Sequence, residues 1–299
     1  MMNNSKALVI LCNDTYLFYE FCKFFPKKFA DDYDFYVVFD NRLEDISDKL
    51  QLIIDSTDNK YIKSFQIING DIILNHFESQ FKYCKQNKFS LTTLKNLYFL
   101  EKYDAIFSSD DDVIIFRYNS RIFNNQVSVI QSNGNVGEAY FNEDLYKLMT
   151  KKGYDIDKVL YSKTRATAGN YFLHKEMYQP LMDINKIFYN DEEIFSLLKN
   201  ETRLSYPNLF TMDAYILRLA MMQRKARYVY KELSTIIGTA ILKKRNIQIS
   251  KQSVMFHISG RNKLPRYQLI EQFCNKHFQQ NVINVKVEST DFRKQYSVK

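Results

Sequence analysis

The first third of the chain alternates short apolar runs with segments of helical length. The runs at 7–12 (ALVILC) and 35–39 (FYVVF) have the length and composition of buried strands. Between them, 16–25 (YLFYEFCKFF) has the length of a helix, and Pro26 predicts its end because proline cannot continue a helix. Strands that alternate with helices are typical of βαβ units. The pattern predicts an α/β fold with a mainly parallel central sheet flanked by helices.

The alternation continues less regularly along the rest of the chain. Further strands are predicted at 64–68, 105–108, 127–130, 170–174 and 254–258, and helices at 92–102 and from Asp213 onward. Another apolar run occupies 113–116, and the segment beyond Gly260 is basic and helical at first and then polar. Because no repeat, low-complexity tract or linker divides the chain, we expect one compact domain.

Composition and charge exclude some classes of protein but identify no partner. With 299 residues, 45% of them hydrophobic and 25% charged, the chain is not of the disordered type. Lys and Arg number 42 against 34 Asp and Glu, so the net charge is 42 − 34 = +8. Such an excess can attract nucleic acid, anionic membranes or phosphorylated small molecules. AT-rich codon usage also produces abundant lysine, so charge alone does not decide between these partners.

The cysteines and the first residues predict a cytoplasmic protein. The cysteines, Cys12, Cys22, Cys84 and Cys274, are far apart and form no CxxC pair, which argues against a zinc site or a disulfide framework. The sequence MMNNSKALVILCND lacks the features of a signal peptide. No run approaches the roughly 20 apolar residues that span a bilayer. Contact with a membrane surface remains open.

The strongest local signal for chemistry is an acidic triplet, Asp110, Asp111 and Asp112, which follows a predicted buried strand. Open α/β sheets bind ligands at the carboxyl ends of strands, and adjacent carboxylates repel one another unless a cation lies among them. Asp110 and Asp112 can both reach one divalent ion while the residue between them points elsewhere. Mn²⁺ or Mg²⁺ suits such oxygen ligands and commonly bridges to phosphates. The alternative is a solvated acidic turn between strands.

Two further polar motifs each follow a predicted strand. In HISGRNK, His257 can bind the metal and Lys263 a phosphate, while Gly260 permits close approach of the backbone. A lone histidine is, however, more often structural. The motif CNDTY at 12–16 can cap the following helix, and it can also offer polar groups to a base edge and a ring to stack on the base. The residues alone leave both interpretations open.

Together and in this order, the three motifs resemble those of glycosyltransferases with the GT-A fold, most of all family 8. In that family an acidic turn with Asn and Tyr after the first strand holds the uracil, and VILCNDTY occupies that place. An Asp-x-Asp with an apolar tail binds the metal, matched by DDDVII, and a late His-x-x-Gly-x-x-Lys closes the site, matched by HISGRNK. The resemblance implies a metal-dependent enzyme that transfers a sugar from a nucleotide donor, a UDP-sugar, to a hydroxyl.

The resemblance also implies roles for individual residues. The metal ligands, for Mn²⁺ or Mg²⁺, are Asp110, Asp112 and His257. The residues assigned to the nucleotide and its sugar are Cys12, Asn13, Asp14, Tyr16, Lys95, Asp110, Asp111, Gly169, Asn170, Gly260 and Lys263. Lys95 lies where related enzymes carry a basic residue near the donor, although a solvated surface lysine is the alternative. The whole chain is then one GT-A domain, with a nucleotide-binding half (1–116), a donor-sugar and acceptor half (117–262) and a basic extension (263–299).

Asp213 is the candidate catalytic residue, and its role stays open. It would be the general base in an inverting enzyme or a hydrogen-bond partner of the donor sugar in a retaining one, and it can also simply cap its helix. The sequence does not distinguish retention from inversion of the anomeric configuration.

The expected partners are a nucleotide-sugar donor and a glycan or glycolipid acceptor. The resemblance favours a bacterial surface polysaccharide or lipooligosaccharide, modified at the inner face of the cytoplasmic membrane, with no nucleic acid as partner. Two other functions remain open. A nucleotidyltransferase can share this fold, but the Gly-rich loop such enzymes carry after the first strand is absent from ILCNDTYLF. A non-enzymatic basic module for nucleic acid or membrane needs its positive charge on one face.

Overall fold

The computed structural model describes residues 5–87, 89–123, 129–130, 143–154, 170–200, 216–217, 219–220, 234–238, 254–259, 272, 275–276, 278 and 280–288. Its strands are Lys6–Cys12 (β1), Tyr33–Phe39 (β2), Gln66–Asn69 (β3), Ala105–Asp110 (β4), Val113–Ile115 (β5), Val129–Ile130 (β6), Asn170–His174 (β7), Ser234–Gly238 (β8) and Met255–Ser259 (β9). Its helices are Thr15–Phe24 (α1), Ser47–Asp55 (α2), Lys60–Lys63 (α3), Gly70–Phe77 (α4), Ser90–Leu100 (α5), Ser120–Phe123 (α6), Glu143–Lys151 (α7), Tyr178–Asn190 (α8) and Glu192–Asn200 (α9).

Among the described residues, the main sheet has six strands in the order β3-β2-β1-β4-β7-β6. The pairs β1–β2, β1–β4 and β2–β3 are parallel, whereas β7 pairs antiparallel with β4 and β6. A second sheet of three strands has the order β5-β9-β8. The predicted α/β fold with a mainly parallel sheet is therefore confirmed.

Apolar side chains cover both faces of the main sheet. Along β1, Ala7, Val9 and Leu11 belong to one buried cluster, which also includes residues of α4, α5 and α8. The alternate residues of β1 belong to a second cluster with residues of α1 and α2. Successive side chains of a strand point to opposite faces, so a strand buried on both faces needs an unbroken apolar run. This explains why ALVILC predicts β1 well.

The ends of several elements differ from the prediction by a few residues. The predicted end of α1 before Pro26 is confirmed. The strand predicted from Ser64 begins at Gln66 because Ser64 still belongs to the end of α3, where its amide donates to the Tyr61 carbonyl. The apolar run at 113–116 forms a strand only as far as Ile115.

The start of α4 is packed directly against the end of β2. Asn69 caps the helix, because its side chain accepts a hydrogen bond from the amide of Asp71 at 2.9 Å. A Cβ atom on Gly70 would lie 2.7 Å from the carbonyl oxygen of Phe39 and 2.4 Å from Cδ1 of Leu91. Only glycine therefore permits this close approach of α4 to the carboxyl edge of the sheet.

Residues 280–288 form an extended segment, here called the C-terminal strap, that packs on the α1 and α2 side of the sheet. Ile283 forms an antiparallel bridge with Thr57, which follows α2. Ile283, Val285 and Val287 pack against the buried cluster on this face. The expectation of a polar end of the chain is wrong at these three positions. In an extended chain alternate side chains turn to the same side, so three apolar residues at every second position suffice to bury one face.

Candidate functional site

The order of the strands places a crevice between β1 and β4. From β1 the chain first adds β2 and β3 on one side, and it then returns to add β4 on the other side of β1. The strand order therefore changes direction between β1 and β4. Open α/β sheets bind ligands at such a point, outside the carboxyl ends of the strands. Leu11 of β1 pairs with Asp110 of β4. The turn after β1 and the acidic triplet after β4 thus meet at one edge, as their positions after strands predict.

The turn after β1 begins α1. Asp14 is the N-cap residue, and its Oδ1 accepts a hydrogen bond from the amide of Tyr16 at 2.9 Å. The capping interpretation is therefore confirmed for Asp14, which is buried, while Asn13 and Tyr16 are half-buried and retain surface at the edge. Cys12 is fully buried, and its thiol donates to the Asp14 carbonyl at 3.7 Å. Burial raises the pKa of this thiol well above its ordinary value.

The acidic triplet joins two buried strands. β4 ends at Asp110, and β5 begins at Val113. Asp111 and Asp112 are only 7% and 6% exposed, and Asp110 is half-buried. The triplet is therefore not a solvated surface turn, because the strands on both sides hold it inside the protein.

The carboxylate of Asp111 faces the turn after β1. Its Oδ2 accepts hydrogen bonds from the amides of Asn13 at 2.6 Å and Asp14 at 2.8 Å. Its own amide donates to the carbonyl of Leu11 at 3.1 Å. Burial raises the pKa of Asp111 well above its ordinary value, and the charges of nearby carboxylates raise it further, while the amide of Asn13 acts in the opposite direction. The carboxylate of Asp111 thus bonds to the backbone of the turn after β1.

Asp110 and Asp112 are the described carboxylates that fit a divalent ion. Their oxygens are the donor type that Mn²⁺ and Mg²⁺ prefer, and they flank Asp111 at the carboxyl edge of the sheet. The backbone of His257 on β9 lies opposite Val113, directly after Asp112. Within the described ranges no three His, Cys, Asp or Glu side chains come together as a metal site. The side chain of His257 lies outside these ranges, so its predicted ligation stays a prediction.

Lys95 is a buried lysine rather than a solvated one. Only 1% of it is exposed, and its Nζ donates to the carbonyl of Thr92 at 3.1 Å and lies 5.7 Å from the ring centroid of Tyr171. Asn96 donates to the hydroxyl of Tyr171 at 2.8 Å. Since a buried ammonium is costly without compensating partners, solvation does not explain a lysine here. The predicted role near the donor stays a prediction.

Several predicted residues are described in part or not at all. The backbone of Asn170 on β7 pairs with Ser109, next to Asp110, and so lies at the same edge of the sheet. Gly169, Asp213, Gly260 and Lys263 lie outside the described residues. Their assigned roles stay predictions.

Two supports of this edge were not predicted from the sequence. Arg42 donates to both carboxylate oxygens of Asp40 at the end of β2, and also to the carbonyl of Asn87, close to the start of α5. Thr15, the first residue of α1, donates its hydroxyl to the carbonyl of Glu288 in the C-terminal strap at 2.7 Å. The alternation of apolar residues at 283, 285 and 287 is the sequence signal that would have indicated the strap.

No described helix has the length and apolar character needed to cross a membrane. No protein-family model and no curated protein sequence matches the chain.

The solved structures that resemble this chain include three glycosyltransferases. The apo structure of WbbM, a bifunctional glycosyltransferase, matches with a TM-score of 0.51 and 12% identity over 91% of this chain, which spans 50% of the WbbM chain. The apo form of mouse xyloside xylosyltransferase 1 matches with a TM-score of 0.46 and 11% identity over 85% of this chain and 97% of that chain. The galactosyltransferase LgtC, in complex with donor and acceptor sugar analogues, matches with a TM-score of 0.45 and 10% identity over 90% of this chain and 94% of that chain.

At 12% identity the WbbM match concerns the fold alone. The chain thus has a GT-A-like α/β fold, which it shares with the glycosyltransferase WbbM.

Proposed function

We propose that the protein is a metal-dependent glycosyltransferase that moves a sugar from a UDP-sugar to a hydroxyl of a glycan or glycolipid. The observation that carries this proposal is the contact between the turn after β1 and the acidic triplet. In this contact the carboxylate of Asp111 accepts the backbone amides of Asn13 and Asp14. The contact brings a turn suited to a base and two carboxylates suited to a divalent ion to the crevice where such sheets bind ligands.

The nucleotide would bind at the turn after β1. Asn13 and Tyr16 are half-buried at this edge, so each keeps surface to offer, a polar side chain for the base edge and a ring for stacking. Asp14 fixes the backbone of the turn by capping α1. This bond would hold Tyr16 at the start of α1, three residues after Asn13.

The diphosphate and the sugar would extend from this turn toward β5 and β7. Asp110 and Asp112, with His257, would hold Mn²⁺ or Mg²⁺, and the bound ion would offset the negative charge that develops on the departing diphosphate. Lys263 would add positive charge to the diphosphate, and Lys95 to the sugar side. Asp213 would receive the proton of the acceptor hydroxyl or bind the donor sugar, depending on the anomeric outcome.

The acceptor would be a bacterial surface polysaccharide or lipooligosaccharide, reached from the cytoplasm at the inner face of the membrane. The net charge of +8 supports contact with an anionic surface. A nucleic-acid partner is not part of the proposal.

Asp112→Asn tests the proposal against the matched variant Asp144→Asn, which changes an exposed residue of α7. We expect one UDP-sugar to raise the melting temperature of the wild type and of Asp144→Asn only when Mn²⁺ is present. Asp112→Asn should fold, because it relieves repulsion among buried carboxylates, but it should lose the Mn²⁺-dependent stabilisation and the transfer of sugar detected by mass spectrometry.

Full metal-dependent transfer by Asp112→Asn would contradict the proposal. Stabilisation of the wild type by oligonucleotides or anionic vesicles, with no response to any nucleotide sugar, would favour a basic binding module instead.

A further inference from the structure

The middle carboxylate of the triplet accepts hydrogen bonds from the turn after β1. We propose that Asp111 is a positioning residue that ties the turn after β1 to the carboxylates of Asp110 and Asp112. Through this tie, binding of a divalent ion and binding of the nucleoside would strengthen each other even where the two ligands do not touch. This inference rests on the proposed function, because it assumes that the turn binds the nucleoside and that Asp110 and Asp112 bind the ion.

The first step of the argument is the contact itself. A single oxygen of Asp111, Oδ2, accepts the amides of two successive residues, Asn13 and Asp14, at 2.6 and 2.8 Å. Asn13 and Asp14 precede Asp111 by 98 and 97 positions along the chain. Hydrogen bonds from amides to a carboxylate are short and strong compared with neutral ones. Because Asp111 is 7% exposed, little water can replace them.

The second step is that the backbone of Asp111 cannot move independently of the sheet. Its amide donates to the carbonyl of Leu11, which extends the pairing of β1 with β4 by one residue beyond Asp110. On the other side, Val113 starts β5 and pairs with β9. The peptide units that carry Asp110 and Asp112 are therefore bonded, through Asp111, to the same turn.

The third step follows the contacts from the turn to α1. Asp14 gives its amide to Asp111 and uses its own carboxylate to accept the amide of Tyr16. A continuous path of hydrogen bonds thus leads from the triplet to Tyr16, whose ring is the proposed stacking surface. An ion that fixes Asp110 and Asp112 would restrict Asp111 between them and so restrict the turn. Linkage requires the reverse effect to be of the same size.

Uridine separates this path from direct contact, because it carries the base and ribose but no phosphate that could touch the ion. We would measure the affinity of the full chain for uridine by ligand-observed NMR, with and without Mn²⁺. For the wild type we expect Mn²⁺ to tighten uridine binding about fivefold or more, the lower end of couplings between sites. For Asp111→Ala we expect Mn²⁺ to leave uridine affinity unchanged.

Mn²⁺ affinity in the absence of nucleotide, measured from the electron paramagnetic resonance signal of the free ion, separates a positioning residue from a ligand. We expect Asp111→Ala, which removes a nearby negative charge but no ligand, to lose clearly less of this affinity than Asp112→Asn, which should lose about tenfold or more. Asp111→Asn keeps an oxygen that can accept both amides, so its coupling should lie between those of the wild type and Asp111→Ala. This variant carries the test if the alanine variant does not fold.

Asp40→Ala is the matched control. Asp40 is also a buried carboxylate at the carboxyl edge of the sheet, at the end of β2, and it accepts the amide and guanidinium of Arg42. Its loss should lower stability without removing the effect of Mn²⁺ on uridine binding.

Three results would overturn the inference. They are unchanged coupling in Asp111→Ala, loss of Mn²⁺ affinity in that variant equal to the loss in Asp112→Asn, and equal loss of coupling in Asp40→Ala. A wild type that binds a UDP-sugar with Mn²⁺ but shows no effect of Mn²⁺ on uridine would defeat the inference alone. A wild type that binds neither uridine nor any UDP-sugar would defeat the proposed function as well.

Discussion

Replacing Asn281 by alanine removes the side chain that caps the C-terminal end of α1. In a helix the carbonyl of Cys22 would accept the amide four residues later, but that residue is Pro26, which has no N–H. Nδ2 of Asn281 donates instead to the carbonyls of Cys22 at 3.2 Å and Phe25 at 2.9 Å. The backbone amide of Asn281 donates to the carbonyl of Lys23 at 2.6 Å, and this bond remains in the variant.

The expected loss of stability follows from the two lost bonds. The carbonyl of Phe25 keeps a longer bond from Asn59 at 3.4 Å, so its loss is close to an ordinary net hydrogen bond, about 1 kcal/mol. The carbonyl of Cys22 loses its side-chain donor at a site where Asn281 is 6% exposed, which costs about 1–3 kcal/mol. We therefore expect Asn281→Ala to lower the free energy of unfolding by roughly 2–4 kcal/mol.

Urea unfolding followed by circular dichroism measures this difference. The midpoint should fall while the dependence on denaturant stays the same, since the surface exposed on unfolding hardly changes. Asn284→Ala is the matched control, because it changes the same residue type on the exposed side of the same strap. If the two variants unfold at the same urea concentration, the strap does not cap α1 and the reasoning fails.

Two further predictions concern Lys95 and Tyr178. Lys95→Met keeps the length of this buried side chain and removes its charge. The melting temperature should therefore stay equal or rise, while the affinity for the UDP-sugar falls. An unchanged affinity for the UDP-sugar would contradict the proposed role of Lys95. Burial and the hydrogen bond to Glu101 raise the pKa of Tyr178 from 10.0 to about 12. Since the folded state favours the protonated phenol, this stabilisation is complete below pH 10 and is lost as the pH rises through about 12. The difference in melting temperature between the wild type and Tyr178→Phe should therefore narrow over that range, and a constant difference would contradict the assignment.

The sequence predicts the centre of the fold well because burial constrains it on two sides. β1 is covered on both faces along its length and β4 over residues 105–107, so both segments are apolar there. A short apolar run between helical segments therefore predicts a strand. The acidic triplet stands out in the sequence because three carboxylates directly follow a buried apolar run, where charged side chains are unusual. Both signals are local, and both lead to the edge of the sheet between β1 and β4.

The contacts that hold this edge could not be predicted, because they join distant parts of the chain. Nothing near Asp111 indicates that its side chain meets the amide of Asn13, 98 residues earlier. A charged lysine is expected at the surface, so the sequence does not predict that Lys95 is buried. Its burial follows from the packing of α5 near Tyr171 of β7. The sequence around Asn281 does not indicate its role. Pro26 has no N–H to donate to the carbonyl of Cys22, and only the structure shows that Asn281 donates there instead.

Three contacts from outside its own backbone stabilise the turn after β1, where the proposed enzyme would bind its donor. The thiol of Cys12 lies beneath it, the carboxylate of Asp111 holds its amides, and the carbonyl of Glu288 in the strap accepts the hydroxyl of Thr15. These contacts hold the turn in part, and a bound ion would restrict it further through Asp111, so less conformational entropy would be lost when the donor binds and more of the contact energy would appear as affinity. Two of these supports come from segments far along the chain, the β4–β5 junction and the C-terminal strap. The geometry of the turn therefore depends on both segments being folded, since the strap packs on the same side of the sheet as α1 and bonds to its first residue.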